Sequence, residues 1–252
     1  MNRYLKIYSR LTPQELRQLR YKERYKKANP LWDDSLIILC KIFQSHLVSE
    51  MRVLDAGCGH GNLVIDQHRQ KIKEAIGVDI SKAATVKNVC LDKVVIADLE
   101  KLPFKDNYFD VALALWVFEH LQNPAEVFRQ IYRVLKKGGV LIFVTPNKTN
   151  YLILAKKMLT VFPNLTKRFF RGIYGREEED VFGTYYRANT EKVLTDFAQM
   201  AGFDKFKLSY NGDPSYIALN DYLFYLGVFL DKLPRFTPFY FTKPHIIGEF
   251  VK

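Results

Sequence analysis

The chain has 252 residues, 48% hydrophobic and 26% charged, which suits a globular protein with a sizeable core and excludes a disordered or fibrous one. Its longest apolar runs, such as Tyr222–Leu230, fall far short of the ~20 residues of a membrane span. The formal net charge of +11 is unevenly placed: residues 1–29 hold nine Lys/Arg against two acids, residues 147–176 hold seven against none, and four acids follow at 177–180.

Two basic segments flanking a near-neutral remainder point to an anionic partner, either a membrane surface, a phosphorylated sugar or nucleic acid, with solubility alone as the alternative. Cys40, Cys58 and Cys90 are odd in number and lack ligand spacing, so they read as small buried apolar residues of a reducing compartment. No His/Cys/acid cluster has the spacing of a metal site, and none is expected. The amino-terminal Met1-Asn-Arg-Tyr-Leu-Lys6 lacks the apolar stretch of a signal peptide, and the expected location is cytoplasmic.

In chain order, Thr12-Pro13 opens a helical pattern over Gln14 to Lys27, which Asn29-Pro30 ends. Tyr21 and Tyr25 lie one turn apart on it. Asp33 or Asp34 can cap a second helix whose apolar face includes Leu36, Leu39, Phe43 and Leu47. The pattern then alternates: strand 51–55, helix 62–71, strand 74–79, short helix 81–89, strands 93–97 and 109–114, helix 124–135, strand 140–145. Lys137-Gly138-Gly139 closes the long helix before the last of these. Such alternation implies a parallel sheet with helices on both faces. After a break at 148–188 come a helix from Glu191 to Gly202, a strand Lys205–Tyr210, an aromatic helix from about Ser215 to Leu230 and a strand His245–Val251.

The first strand runs into Val53-Leu-Asp-Ala-Gly-Cys-Gly-His-Gly61. Gly57, Gly59 and Gly61 let the backbone take positive φ and pass close to a ligand. A dinucleotide fingerprint needs its third glycine at position 62, which is Asn62. What stands here has Asp55 just before the turn, and an acid there repels a pyrophosphate but suits a cation. The stretch resembles motif I of class I S-adenosylmethionine-dependent methyltransferases, whose cofactor carries a sulfonium and an ammonium.

Later segments extend the resemblance in order. Ala75-Ile-Gly-Val-Asp-Ile80 ends in Asp79, 18 residues after Gly61, where the family's acid accepts both ribose hydroxyls. Ala97-Asp98-Leu99 resembles the acid–apolar pair that recognises adenine. Leu102-Pro-Phe-Lys-Asp-Asn-Tyr-Phe-Asp110, Glu119-His120-Leu121 and Leu135-Lys-Lys-Gly-Gly-Val-Leu-Ile142 match the later motifs. The resemblance implies a Rossmann-like α/β fold of seven strands, the last antiparallel. It further implies an N-terminal helical cap (1–50), a cofactor-binding core (51–147), a substrate-recognition insertion after the fifth strand (148–188) and the rest of the sheet (189–252). The cofactor it implies is S-adenosylmethionine, with Asp55, Gly57 and Gly59 at the methionine part, Asp79 at the ribose, Asp98 with Leu99 at the adenine, and Gly61 and Ile80 as further cofactor contacts. Trp116 and Phe104 are further candidate walls.

The insertion, through Gly175-Arg-Glu-Glu-Glu-Asp-Val-Phe-Gly-Thr-Tyr-Tyr-Arg-Ala-Asn-Thr190, resembles methyltransferases of bacterial glycan and lipid-linked biosynthesis. Methyl transfer to a hydroxyl needs collinear positioning and removal of a proton. His120 is the candidate base, with a structural hydrogen bond as the alternative, and Tyr186 is the second catalytic candidate. Tyr25, Tyr151, Tyr185 and Arg187 are candidate acceptor contacts; Arg187 suits a phosphate or carboxylate, or an ion pair with the acids at 177–180.

The expected activity is O-methylation of a glycan, lipid-linked or quinone-like intermediate. The alternatives are a C-methyltransferase of the ubiquinone/menaquinone type, a nucleic-acid methyltransferase lacking the usual Asn/Asp-Pro-Pro-aromatic motif, and a cofactor-binding subunit without catalysis. Basic residues beside the aromatic C-terminal part add an expected peripheral contact with an anionic membrane. The oligomeric state is open.

Overall fold

A computed structural model describes residues 13–86, 88–150, 183–232 and 243–252. In chain order the elements are α1 (Pro13–Ala28), α2 (Ser35–Ser45), β1 (Met51–Ala56), α3 (Leu63–His68), β2 (Ile72–Asp79), α4 (Lys82–Thr85), β3 (Lys93–Ile96) and β4 (Phe109–Leu115). They continue with α5 (Pro124–Val134), β5 (Leu135–Pro146), α6 (Glu191–Ala201), β6 (Lys205–Asn211), α7 (Asp221–Lys232) and β7 (His245–Val251). The seven strands form one sheet in the order β3-β2-β1-β4-β5-β7-β6. β1, β2, β3, β4 and β5 pair in parallel, and β7 lies antiparallel to β5.

The chain divides into two compact units, one of Ser35–Lys148, Gly183–Ser209 and His245–Lys252, the other of Met1–Asp34, Thr149–Phe182 and Tyr210–Pro244. In the first, both sheet faces are covered, as the near-continuous apolar strands require. Alternate strand residues point to opposite faces. Val53, Val111, Leu113, Val140 and Ile142 join Leu39 and Phe43 of α2 and Val64 and Ile65 of α3 in one core. On the opposite parity Phe143 and Phe250 meet at 5.0 Å, and Phe128 of α5 approaches Phe250 and Phe197 of α6.

In the second unit Tyr25 and Trp32 pack edge to face, and Ala218 and Phe224 complete the cluster. Lys22 lies 3.2 Å from Asp213 and donates to Asp34 at 2.5 Å. Burial works against its ammonium, but the two carboxylates outweigh that and raise its pKa.

Several boundaries differ from the sequence reading. The helix expected over 62–71 is α3 followed by a 3-10 turn at Arg69–Lys71, and β2 begins at Ile72. The short helix expected over 81–89 is the single turn α4. The aromatic helix is split into a 3-10 turn at Pro214–Ile217 and α7, with Asn220 Oδ1 accepting from Leu223 N at the new start. Gly138 and Gly139 do not close α5. That helix ends at Val134, and Leu135 already pairs with Phe109. The register then shifts before Val140 meets Val111, and Gly138 takes φ +76° within the shift. α2, expected in an N-terminal cap, packs with the sheet, because its apolar face covers β1 and β5 residues. Most of the expected insertion, including Tyr151, lies outside the described residues. Among those described, no helix is long and apolar enough to cross a membrane, and no group of three His, Cys, Asp or Glu is placed to hold a metal.

Candidate active site

The parallel register brings the ends of β1, β2 and β4 to one edge, pairing Asp55 with both Gly77 and Leu113. Ligands of open α/β sheets bind outside such carboxyl ends. The chain leaves β1 through a turn in which Gly57, Gly59 and Gly61 have φ of +74°, +40° and +140°. Gly57 also has no room for a side chain, since a Cβ there would lie 2.5 Å from Val117 Cγ2. Gly57 N and Cys58 N both donate to Val78 O, which ties the turn to β2.

Asp55 is 2% exposed. Its Oδ1 accepts from Asn62 Nδ2 at 2.8 Å, while Oδ2 has no hydrogen-bond partner. Burial pushes its carboxyl up to about 7; the Asn62 bond opposes the shift and nearby Asp79 adds to it. A buried carboxylate oxygen without a partner is costly unless a donor or cation arrives. The oxygen belongs to a residue lining a cavity of about 200 Å³, together with Gly57, Asn62, Leu36, Leu115 and Trp116. This arrangement fits the cationic methionine end of S-adenosylmethionine.

Asp79 holds the turn from the other side. Its Oδ2 accepts from Gly59 N at 2.9 Å and its Oδ1 from Ser81 N at 2.8 Å. Each oxygen keeps a second lone pair, so the carboxylate can still accept a diol. Ile80 beside it is 65% exposed, an apolar surface suited to a flat partner. Asp98, at the end of β3, is exposed and caps a 3-10 turn through Glu100 N, and Leu99 is buried behind it. Ala97 N donates to Asp79 O, which fixes the two acidic ends side by side.

Trp116 directly follows β4 with φ +55°, an uncommon conformation for a residue with a side chain, and its N donates to Val144 O. Its ring lies edge-on to His245, whose Nδ1 is 2.9 Å from Ser35 Oγ. Phe104, expected as a wall, packs edge-on against Phe109, and its carbonyl accepts from Arg133.

Four contributors escaped the sequence reading. Asn62 caps α3 through Val64 N while holding Asp55. Its signal was visible, for an Asn before an apolar helix is an N-cap. Asn88 donates to Cys58 O and Gly59 O and supports the turn from a loop that no motif marks. Leu36 and His245 come from distant segments, and no local pattern ties either of them to the site.

The candidate catalytic residues gather around Glu119. Its carbonyl accepts from Tyr185 N and Tyr186 N, and its buried carboxylate accepts from Thr145 Oγ1 at 3.2 Å. Asn189 joins this knot through Thr145 Oγ1 and Pro146 O. His120 Nδ1 lies 3.2 Å from Gly183 O. A carbonyl only accepts, so Nδ1 carries the proton and a neutral ring keeps its lone pair on Nε2. Tyr186 has φ +50°. Arg187 donates to Gln122 O and stacks over the Tyr185 ring, whose hydroxyl accepts from Gln122 Nε2. Tyr25 is not placed as expected. It is buried in the second unit's core, and its hydroxyl donates to Asp231 Oδ2 at 2.7 Å.

Residues 54–143 match the methyltransferase domain family, and the matched span runs from β1 through the glycine turn to β5. The chain carries a class I S-adenosylmethionine-dependent methyltransferase core. It is 34% identical to a sterol 4-C-methyltransferase of Caenorhabditis elegans over 44% of this chain and 36% of that protein. It is 26% identical to a ubiquinone biosynthesis O-methyltransferase of Pseudomonas entomophila over 68% of this chain and 84% of that protein. The chain spans 36% to 62% of the length of the first four curated relatives. Among solved structures, the [4+2]-cyclase SpnF aligns over 96% of this chain and 97% of its own with a TM-score of 0.52 and 17% identity, which is a likeness of fold. The cofactor of the methyltransferase core is S-adenosylmethionine.

Proposed function

We propose that this chain transfers the methyl group of S-adenosylmethionine to a hydroxyl of a glycan, lipid-linked or quinone-like intermediate. The observation that carries the cofactor part is the unpartnered Asp55 Oδ2, buried at the glycine turn. The bound cofactor supplies an electrophilic methyl group. The chain's part is to hold donor and acceptor in line and to keep water out, which accounts for most of the rate in such a transfer. Asp55 neutralises the cationic end, Asp79 orients the sugar, and Trp116 closes one wall. An acceptor hydroxyl must also lose its proton. His120, with Nδ1 3.2 Å from Gly183 O and Nε2 3.9 Å from Glu119 Oε1, is the group suited to take it.

Support for an oxygen acceptor comes from the Pseudomonas O-methyltransferase, of which the chain covers 84%. The worm relative, a 4-C-methyltransferase by name, favours carbon as the second reading. Incubating the protein with methyl-tritiated cofactor and parallel extracts of lipids, glycans and RNA separates these. Label in lipid or glycan that alkali-stable ether analysis places on oxygen is expected. Label on carbon gives the second reading, label in RNA refutes both, and cofactor binding without any label leaves a binding subunit.

A further inference from the structure

In the unit of α1 and α7, the two helices turn their inner faces to each other and to the Pro214–Ile217 turn. Tyr21 stacks on Phe224 at 4.8 Å, Tyr25 reaches Asp231, and Gly227 has no room for a Cβ because Pro214 O would lie 2.8 Å from it. That packing leaves a row on the outer face of α7. Tyr222, Tyr225, Leu226 and Phe229 occupy successive turns of one face and are 47% to 87% exposed. The exposed face of α1 carries Arg20, Arg24 and Lys27 at the same helical spacing. Arg24 joins the two rows: it bonds Asp221 at 3.0 Å and Tyr225 Oη at 2.6 Å, with its guanidinium over the Tyr225 and Phe224 rings.

We propose that this aromatic row, flanked by the α1 cations, is a docking surface for an anionic lipid bilayer. Tyrosine suits that boundary, since its ring enters the headgroup–acyl region while its hydroxyl stays wet, and Leu226 and Phe229 add apolar depth. The charge is complementary. On the exposed face of α1, Arg20, Arg24 and Lys27 stand against one acid, Glu23. Arg24 neutralises Asp221, the acid that opens α7, so the row presents no uncompensated negative charge at that end. A nucleic acid would use such cations and stack on such rings too, which makes RNA the competing outcome of the test; Leu226 among the rings favours insertion into a bilayer. The surface stands apart from methyl transfer, since docking needs neither cofactor nor acceptor.

Co-sedimentation of the full chain tests this, with vesicles of phosphatidylcholine alone and with about 30% phosphatidylglycerol, at low and high salt. Wild-type protein is expected in the pellet only with the anionic vesicles, and salt releases it. The double variant Tyr222→Ser/Phe229→Ser and the double variant Arg20→Glu/Lys27→Glu should each weaken binding at least tenfold, on the order of fivefold or more for each basic residue engaged. Their thermal unfolding and cofactor affinity should match wild type, because the four side chains face outward. Equal recovery with both lipids, retained vesicle binding in the aromatic variant, or binding of RNA but not vesicles through these residues would overturn the proposal.

Discussion

At Asp55 burial and function pull against each other. The folded carboxyl titrates at about 7 against an ordinary 3.8, with burial the leading cause. The sign follows from proton counts: between those values the folded state holds a proton that the unfolded state has lost, so stability falls as pH rises through this window. Over the whole window the loss amounts to about 4 kcal/mol. Asp55→Asn should therefore raise the melting temperature at pH 8 and leave it nearly unchanged at pH 4. The same variant should lose cofactor affinity, because it removes the carboxylate that meets the cation. For the wild type, binding a cation requires the ionised form, so affinity should fall roughly tenfold per pH unit below about 7 and level off above it. Calorimetry from pH 5.5 to 8.5 checks this, and a flat profile would remove Asp55 from contact with the cation.

At the scale of elements, the N-terminus of α3 is where sequence and structure agree least cheaply. Asn62 stands where a dinucleotide site would have glycine, and it serves both as a helix cap and as the donor to Asp55. Asn62→Ala should lose the cap, about 1 kcal/mol, and strand the second Asp55 oxygen for about 1–3 kcal/mol more. The second part should shrink at pH 5, where Asp55 is protonated; urea denaturation at pH 5 and pH 8 reads the difference, and equal losses would mean that only the cap matters. The strands and the glycine turn were legible because a parallel sheet writes itself as apolar runs and because positive φ requires glycine. The ends of α5 and β5 were not. Gly138 and Gly139 look like a helix stop, yet the same freedom serves the register shift beside Val111. Cofactor acids are local in sequence, next to the strands that carry them. Asn88, Leu36 and His245 reach the turn or the Trp116 wall only through tertiary packing, so no spacing announces them. Tyr25 failed for a related reason: periodicity sets its helix face, but only packing showed that Asp231 takes its hydroxyl.

Across the whole molecule the residues assigned to the cofactor, from Asp55 to Trp116, fall within one compact unit, and the segment 151–182 lies outside the described residues. The two ends of that segment are tied within the first unit, by Lys148 N to Asn189 O and by Tyr185 N and Tyr186 N to Glu119 O. Deleting 151–182 and joining Asn150 to Gly183 through a Gly/Ser linker of about eight residues therefore need not disturb either tie. The shortened protein should bind S-adenosylmethionine within a few-fold of the intact chain, since none of the named cofactor contacts is removed. It should lose turnover on the native acceptor, if the segment that resembles the recognition elements of glycan- and lipid-directed enzymes supplies the acceptor pocket. Equilibrium dialysis with the cofactor and a methyl-transfer assay on the same preparation separate the outcomes. Retained binding with lost transfer assigns acceptor recognition to 151–182. Unchanged transfer would place it instead on Tyr185, Arg187 and the Glu119 knot, which the deletion leaves whole.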